Sequence, residues 1–372
     1  MIYFDHNATT PIDPLVVEAM QPFLTNFYGN PSSLHRHGRL AKTAIEQARQ
    51  QVSALINVQP EQVVFTSGGT EANNLAITAA LNTPYKHVLV GATEHPSVME
   101  CCKGVLSPRC SVELLNVNEE GVLTADYVQS CITADTGFIS IMQANNETGV
   151  IQDIQALTEL VGDKPIIFHT DAVQSLGKLN VDFNAMGVNL MTLSSHKIYG
   201  PKGVGALIHD NETNLSPMLY GGGQELGFRT GTENVAGIVG FGKAAELAKQ
   251  YLEERAQHLS ALQKKLEEGI SDIKGISIVG SQSDRLPNTS QILMDNVDGE
   301  MLLMQLDKQS IAVSSGSACS SNSKNPSPVL KAMGYSDKLA LSAIRVSLGQ
   351  QNTHEEVQEF ISVLKSIINR NQ

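Results

Sequence analysis
Residues 62–77 read QVVFTSGGTEANNLAI: an apolar run, a turn of small residues at Thr66-Ser67-Gly68-Gly69-Thr70, and the opening of an amphipathic helical pattern over residues 71–81. A change of period from strand to helix across a glycine turn is the unit from which open α/β sheets are built. The unit recurs downstream. HVLVGA (87–92), VELLNV (112–117), FISIMQA (138–144), PIIFHT (165–170), NLMTLSS (189–195) and GVGALI (203–208) are further short apolar runs, with helical patterns such as 125–133 between several of them. This alternation predicts an α/β domain with a mainly parallel sheet.

Flanking segments complete the outline. Residues 37–57 place Leu40, Ala44, Ala48, Val52 and Leu55 at helical spacing and predict a packed helix. A longer helical pattern over 234–270, charged in its second half, reads as a bridge to a smaller α+β lobe. That lobe has strands at TSQILM (289–294) and AIRVSL (343–348) and helices at 299–309 and 353–368. The expected division is a large domain of residues 14–250 and a small one made of 1–13 and 251–372. Residues 317–327 are the most loop-like stretch.

The chain has 372 residues, 41% hydrophobic and 17% charged, enough for one large core and a smaller lobe. A formal net charge of −12 argues against direct nucleic-acid binding, which needs a basic face. The N-terminus, MIYFDHNATTP, lacks the regions of a signal peptide, and no apolar run approaches the roughly 20 residues that span a bilayer. A cytoplasmic protein without a membrane partner is therefore expected. Five cysteines, odd in number and irregularly spaced, fit neither a disulfide framework nor a zinc pattern.

In an open parallel sheet, ligands bind beyond the carboxyl ends of the strands. The residues that follow the strands here are the glycine turn, then His95, Asn145-Asn146, Asp171 and Gln174, and finally His196 and Lys197. Taken singly, each has an ordinary explanation: glycine turns end strands, aspartates cap helices, lysines are solvated. Together, a phosphate cradle at a helix start, a ring-sized stacking partner, a carboxylate and a lysine are the groups needed to hold pyridoxal phosphate. A rival reading takes GIVGFGK (237–243) as the phosphate loop of an NTPase. It fails because Ala244 stands where the Mg²⁺-binding hydroxyl belongs and no clear strand precedes it. Another rival is a non-catalytic metal or iron–sulfur carrier using Cys319 with other cysteines; Cys101, Cys102 and Cys110 lack ligand spacing and read as small buried hydrophobes.

The motifs FDHNATTP, FTSGGTEANNLAI, ATEHPSV, NNETGVIQDI, HTDAVQSLGK, SSHKIYGPKGVGAL, GGGQELGFRTGTENVAGIVG, SSGSACSS (314–321) and AIRVSLG occur in order over nearly the whole chain. The sequence thereby resembles the cysteine desulfurases of the aminotransferase class V group. The resemblance implies the type I fold of pyridoxal-phosphate transferases and a homodimer. It implies that Gly69, Thr70, Ser194 and His196 bind the cofactor phosphate, with Thr232 completing the site of the neighbouring subunit. His95 would stack on the ring, Asp171 pair with the pyridinium N–H, Gln174 contact the ring hydroxyl, and Lys197 carry the covalent link. Asn146 would lie beside the ring hydroxyl and the substrate, and Arg345 would grip the substrate carboxylate.

The implied reaction takes sulfur from L-cysteine, with Lys197 as general base and Cys319 as the nucleophile that becomes a persulfide, leaving L-alanine. A long loop over 314–327 would carry Cys319 to a sulfur-acceptor protein, an iron–sulfur scaffold or a tRNA-thiolation enzyme. No metal is expected in the free enzyme, Cys319 being at most a transient cluster ligand. The alternative within the fold is a selenocysteine lyase or other β-elimination lyase, for which Lys197, Asp171 and His95 would serve equally.

Overall fold
The computed structural model describes residues 1–315 and 325–371. Its strands are β1 (Ile2–Tyr3), β2 (Val63–Thr66), β3 (His87–Gly91), β4 (Ser111–Leu115), β5 (Thr136–Ser140), β6 (Ile167–Asp171), β7 (Leu190–Ser194) and β8 (Gly205–His209) in the first part. In the second part they are β9 (Ile276–Ile278), β10 (Thr289–Met294), β11 (Ile311–Ala312), β12 (Ser314–Ser315) and β13 (Ile344–Ser347). Seven of them form one sheet in the order β2-β8-β7-β6-β5-β3-β4, with β8 antiparallel to both neighbours and the other pairings parallel. β2 therefore points the same way as β3 to β7, and the carboxyl ends of all these strands lie on one edge.

The apolar runs are nearly continuous because both faces of the sheet are buried. Val63, Phe65, Leu89, Ile139, Met191 and Leu193 face one core, and Val64, Val88, Val90, Phe138 and Leu190 face another. Helix α1 (Pro14–Thr25), α2 (Arg36–Leu55) and the Val235–Gln250 helix pack on the first side, while α3 (Gly69–Thr78) and α4 (Pro96–Cys101) pack on the second. Cys101, Cys102 and Cys110 sit in that second core as small hydrophobes, and burial pushes the Cys101 and Cys102 thiols up to about 11 and about 12.

Two of the helices depart from the sequence expectation. The inward face of α2 is Ala41, Ile45, Ala48 and Val52, and Leu40 is exposed. Close approach is the reason: a Cβ added to Gly242 would lie 2.5 Å from Ala48 Cα, so small residues occupy the seam and the helix turns accordingly. The 234–270 helix is likewise two helices, Val235–Gln250 and Leu252–Ile270, broken at Tyr251. Gly240 and Gly242 of GIVGFGK lie inside the first, Gly240 against Met20 and Pro201. They serve helix packing and form no phosphate loop.

The smaller sheet runs β12-β13-β10-β9, and β1 pairs in parallel with β11 beside it. Its core joins Ile2 and Phe4 to Leu259, Leu262, Ile292, Val346 and Phe360. The N-terminal segment thus starts in the small lobe, and residues 5–10 cross to the edge of the large sheet. No helix among the described residues is long and apolar enough to cross a membrane.

Candidate active site
At the carboxyl ends of β3 and β6 a chain of hydrogen bonds ties an aspartate to a histidine. Asn73 Nδ2, on α3, donates to Asp171 Oδ2 and to Ser97 Oγ, both at 2.8 Å. The other oxygen of Asp171 accepts from Val173 N at 2.9 Å. Ser97 Oγ, already an acceptor, turns its proton to His95 Nδ1 at 2.8 Å, where Ser97 N also donates at 3.1 Å. His95 Nδ1 is therefore an acceptor and the ring proton sits on Nε2. Burial lowers the His95 pKa, Asp171 opposes, and Lys197 adds to the lowering, which favours the neutral ring.

Next to this chain lies an anion cradle. Gly68 caps α3 at φ +153°, a conformation that L side chains rarely adopt. A Cβ on Gly69 would lie 3.3 Å from Val173 Cγ2 and 3.6 Å from Ser194 Cβ, so the start of α3 abuts the ends of β6 and β7. Thr70 is exposed in the first turn. Ser194 Oγ is buried with no hydrogen-bond partner. His196 Nδ1 is 3.1 Å from Thr9 Oγ1, and burial with Lys197 and Lys202 lowers its pKa to about 4. A helix N-terminus facing an orphaned hydroxyl suits a phosphate. Thr232 is exposed on the segment before the Val235–Gln250 helix, and that segment is tied to the start of α3 by Arg229 on Glu71 at 3.0 Å.

Residues 5–10 then strap the third part of the site. Lys197, in a single turn after β7, donates from Nζ to Asn7 O at 2.5 Å and Ala8 O at 2.7 Å. Gln174 Nε2 donates to the same Asn7 carbonyl at 3.0 Å. Asn7 Nδ2 donates to Thr289 Oγ1 at 2.8 Å and Asn146 O at 3.2 Å. Asn146 O also accepts from Arg345 Nη1 at 3.0 Å, and Arg345 Nη2 holds Asp5 Oδ1 at 2.7 Å. Arg345 is buried on β13 and its Nε has no partner, which leaves a donor for a carboxylate.

Cys319 lies outside the described residues. The chain enters that stretch from β12, a strand rather than the loop expected at 314, with Ser314 paired to Arg345. The described chain resumes at residue 325, and Ser327 Oγ donates to buried Glu147, the neighbour of Asn146 in sequence. Nine of the sequence-derived site residues, from Gly69 to Lys197, are brought to one edge with Arg345, while Thr232 is exposed a few residues beyond Arg229, which bonds Glu71. The sequence reading missed Asn7, Asn73, Ser97 and Lys178. Their signal was present as polar residues inside FDHNATTP, TEANNLAI, TEHPSV and DAVQSLGK, but their partners are remote in sequence. Among the described residues no group of three or more histidines, cysteines and carboxylates could hold a metal ion.

Pyridoxal phosphate meets a matching set: the cradle with Ser194 Oγ for the phosphate, Asp171 held as an acceptor, and Lys197 alongside. Comparison with known proteins agrees. The sequence profile described as aminotransferase class-V matches residues 2–360. The chain is 43% identical to a protein of Dictyoglomus turgidum named cysteine desulfurase IscS, over 99% of this chain and 95% of that protein. A solved NifS-like protein superposes with a TM-score of 0.93 at 35% identity over 99% of both chains. A structure described as SspA in complex with cysteine gives 0.83 at 33% identity over 95% of this chain and all of that one. With its profile matched almost from end to end and a relative of this identity along its full length, the chain belongs to the aminotransferase class-V family.

Proposed function
We propose that this chain is a cysteine desulfurase: with pyridoxal phosphate it removes sulfur from L-cysteine, releases L-alanine and holds the sulfur as a persulfide on Cys319. The observation that carries the reading is the meeting of Lys197 and Arg345 around Asn7. An amine that can work at Cα and a guanidinium that can take a carboxylate are linked through it: Lys197 Nζ bonds the Asn7 carbonyl, and Arg345 Nη1 bonds the Asn146 carbonyl that Asn7 Nδ2 also reaches. The full-length likeness to proteins named cysteine desulfurase supports the choice of substrate.

When bound, the cofactor supplies an electron sink for charge developing at the substrate Cα. Gly69, Thr70, Ser194 and His196 would hold its phosphate, His95 its ring face, Asp171 its ring nitrogen and Gln174 its hydroxyl oxygen. Neutral His95 stacks without adding a second positive charge beside Lys197. Arg345 orients the substrate by its carboxylate, with the fork geometry that makes such pairs directional. Asn146 borders the substrate. Lys197 Nζ, whose hydrogen bonds to Asn7 O and Ala8 O fix its position, takes the Cα proton and returns it. Cys319 Sγ, as thiolate, attacks the substrate sulfur: the S–S bond forms as the Cβ–S bond breaks, the carbon keeps that electron pair and is protonated to leave L-alanine, and an acceptor thiol later takes the outer sulfur of the persulfide.

Further elements belong to the same reading. Residues 14–250 would form the cofactor-binding domain and 1–13 with 251–372 the small one, which a separate core of Ile2, Phe4 and residues from Leu259 onward supports. A homodimer would let exposed Thr232 reach the phosphate of the neighbouring subunit; exposed Leu219, Tyr220 and Leu226 on the same segment fit burial against a second copy. The four described cysteines are free thiols, and a reducing cytoplasm suits a catalytic thiol. An iron–sulfur scaffold protein is the preferred acceptor, ahead of a tRNA-thiolation enzyme, given the length of 314–327 and the likeness to relatives named IscS.

The test is to incubate the purified protein with L-cysteine and quantify alanine and sulfide. Lys197→Ala should lose turnover and the visible absorbance of the bound cofactor, and Cys319→Ala should lose turnover. Full alanine production by Cys319→Ala with a dithiol present would point instead to a lyase that needs no sulfur carrier.

A further inference from the structure
Lys178 has no part in the scheme above, yet it lies within the site. It is 7% exposed, and its three N–H donors are used on Gln174 Oε1 and Gln174 O at 3.0 Å each and on Asn7 Oδ1 at 3.3 Å. Every one of these acceptors is a neutral oxygen. Burial, aided by Lys197 and Arg345, pushes its pKa down to about 7. A buried cation among cations is costly, so the compensation has to lie in what its donors fix.

They fix the side chain of Gln174. A glutamine amide presents two donors at one end and an acceptor at the other, and the two ends have nearly the same shape. Here Oε1 accepts from Lys178, while Nε2 donates to Asn7 O, the carbonyl that Lys197 Nζ also reaches. The reversed amide would set oxygen against the Asn7 carbonyl and NH₂ against an ammonium. Two partners thus select one orientation, and the N–H left over belongs to the nitrogen that shares an acceptor with Lys197.

We propose that Lys178 is a positioning residue for the cofactor, locking the Gln174 amide so that nitrogen, and not oxygen, is offered to the ring hydroxyl oxygen beside Lys197. The proposal rests on the pyridoxal-phosphate reading above.

A double-mutant cycle tests it. Apoenzymes of the wild type, Lys178→Met, Gln174→Ala and the double variant are titrated with pyridoxal phosphate for Kd, and the visible band of each loaded protein is titrated with pH. Each single variant should bind about tenfold more weakly, the size of one charge-assisted hydrogen bond, and should move the midpoint of the visible band. The double variant should be no weaker than the weaker single, because both changes remove the same interaction. Lys178→Gln, which keeps a donor without the charge, should recover most of the affinity, and Lys178→Ala replaces methionine in the cycle if that variant does not fold. Additive losses, or a glutamine variant no better than methionine, would overturn the positioning role. A wild-type chain that takes up no pyridoxal phosphate would bring down the parent reading itself, a failure recognisable because it precedes any mutation.

Discussion

Glu147→Gln changes one atom at a point where the effect can be worked out. The Glu147 carboxyl is buried, Ser327 Oγ donates to it, and burial pushes its pKa from the ordinary 4.5 up to about 7, although Ser327 and Arg345 both favour the carboxylate. The folded value lies above the unfolded one, so the folded chain keeps this proton longer. The group's contribution to stability is then complete below pH 4.5 and is lost as pH rises through 7. At roughly 1.4 kcal/mol per pH unit, the loss amounts to about 3 kcal/mol. Glutamine keeps the shape and an acceptor for Ser327 but does not titrate. In urea unfolding of the two apoenzymes, the difference in unfolding free energy should shift by about 3 kcal/mol in the variant's favour between pH 4 and pH 8.5. A difference constant to within about 0.5 kcal/mol across that range would refute the reasoning. A shift of opposite sign would mean that attraction to Arg345 outweighs burial.

Other expectations follow from the same contacts. Asn73→Ala removes the donor shared by Asp171 and Ser97 and should weaken pyridoxal-phosphate binding about tenfold, read by titrating the apoenzyme, while Asn73→Asp, which sets a second carboxylate against Asp171, should be worse. Arg49→Met strands buried Glu225, which Arg49 holds with two bonds at 2.7 and 2.8 Å, and should cost roughly 3–5 kcal/mol in urea unfolding, most of it regained in the double variant with Glu225→Gln. Arg345→Lys keeps the charge but loses the fork, so KM for L-cysteine should rise about tenfold or more with a smaller change in kcat.

The strands were legible because a sheet covered on both faces writes itself as short uninterrupted apolar runs; Phe138 and Ile139 are neighbours that face opposite cores. The phase of α2 was not. Hydrophobic size suggests Leu40 as a core position, but the seam with the Val235–Gln250 helix is set by the approach of Gly242 to Ala48, which rewards the smallest residues. The break at Tyr251 was hidden for a similar reason: neither proline nor glycine marks it, and apolar spacing continues across it at Leu247, Leu259 and Leu262.

Within the site, legibility followed the sheet. Asp171 ends a strand and His95 and Lys197 come shortly after one, so the direction of the strands alone brings them together. Asn7 has no such marker. It precedes every strand of the large sheet, and its partners Thr289 and Ser347 lie 282 and 340 positions away. With β1 paired to β11 and Phe4 packed in the core of the small lobe, the strap that follows reaches Lys197 and Gln174. The Asn7 carbonyl then serves the large lobe while its amide nitrogen serves both lobes, through Asn146 and Thr289. Lys197 bonds that residue directly and Arg345 meets it through the shared Asn146 carbonyl, so the two side chains are linked by a residue that belongs to neither of their elements. The setting of that residue depends on both cores, which is why no local pattern could announce it.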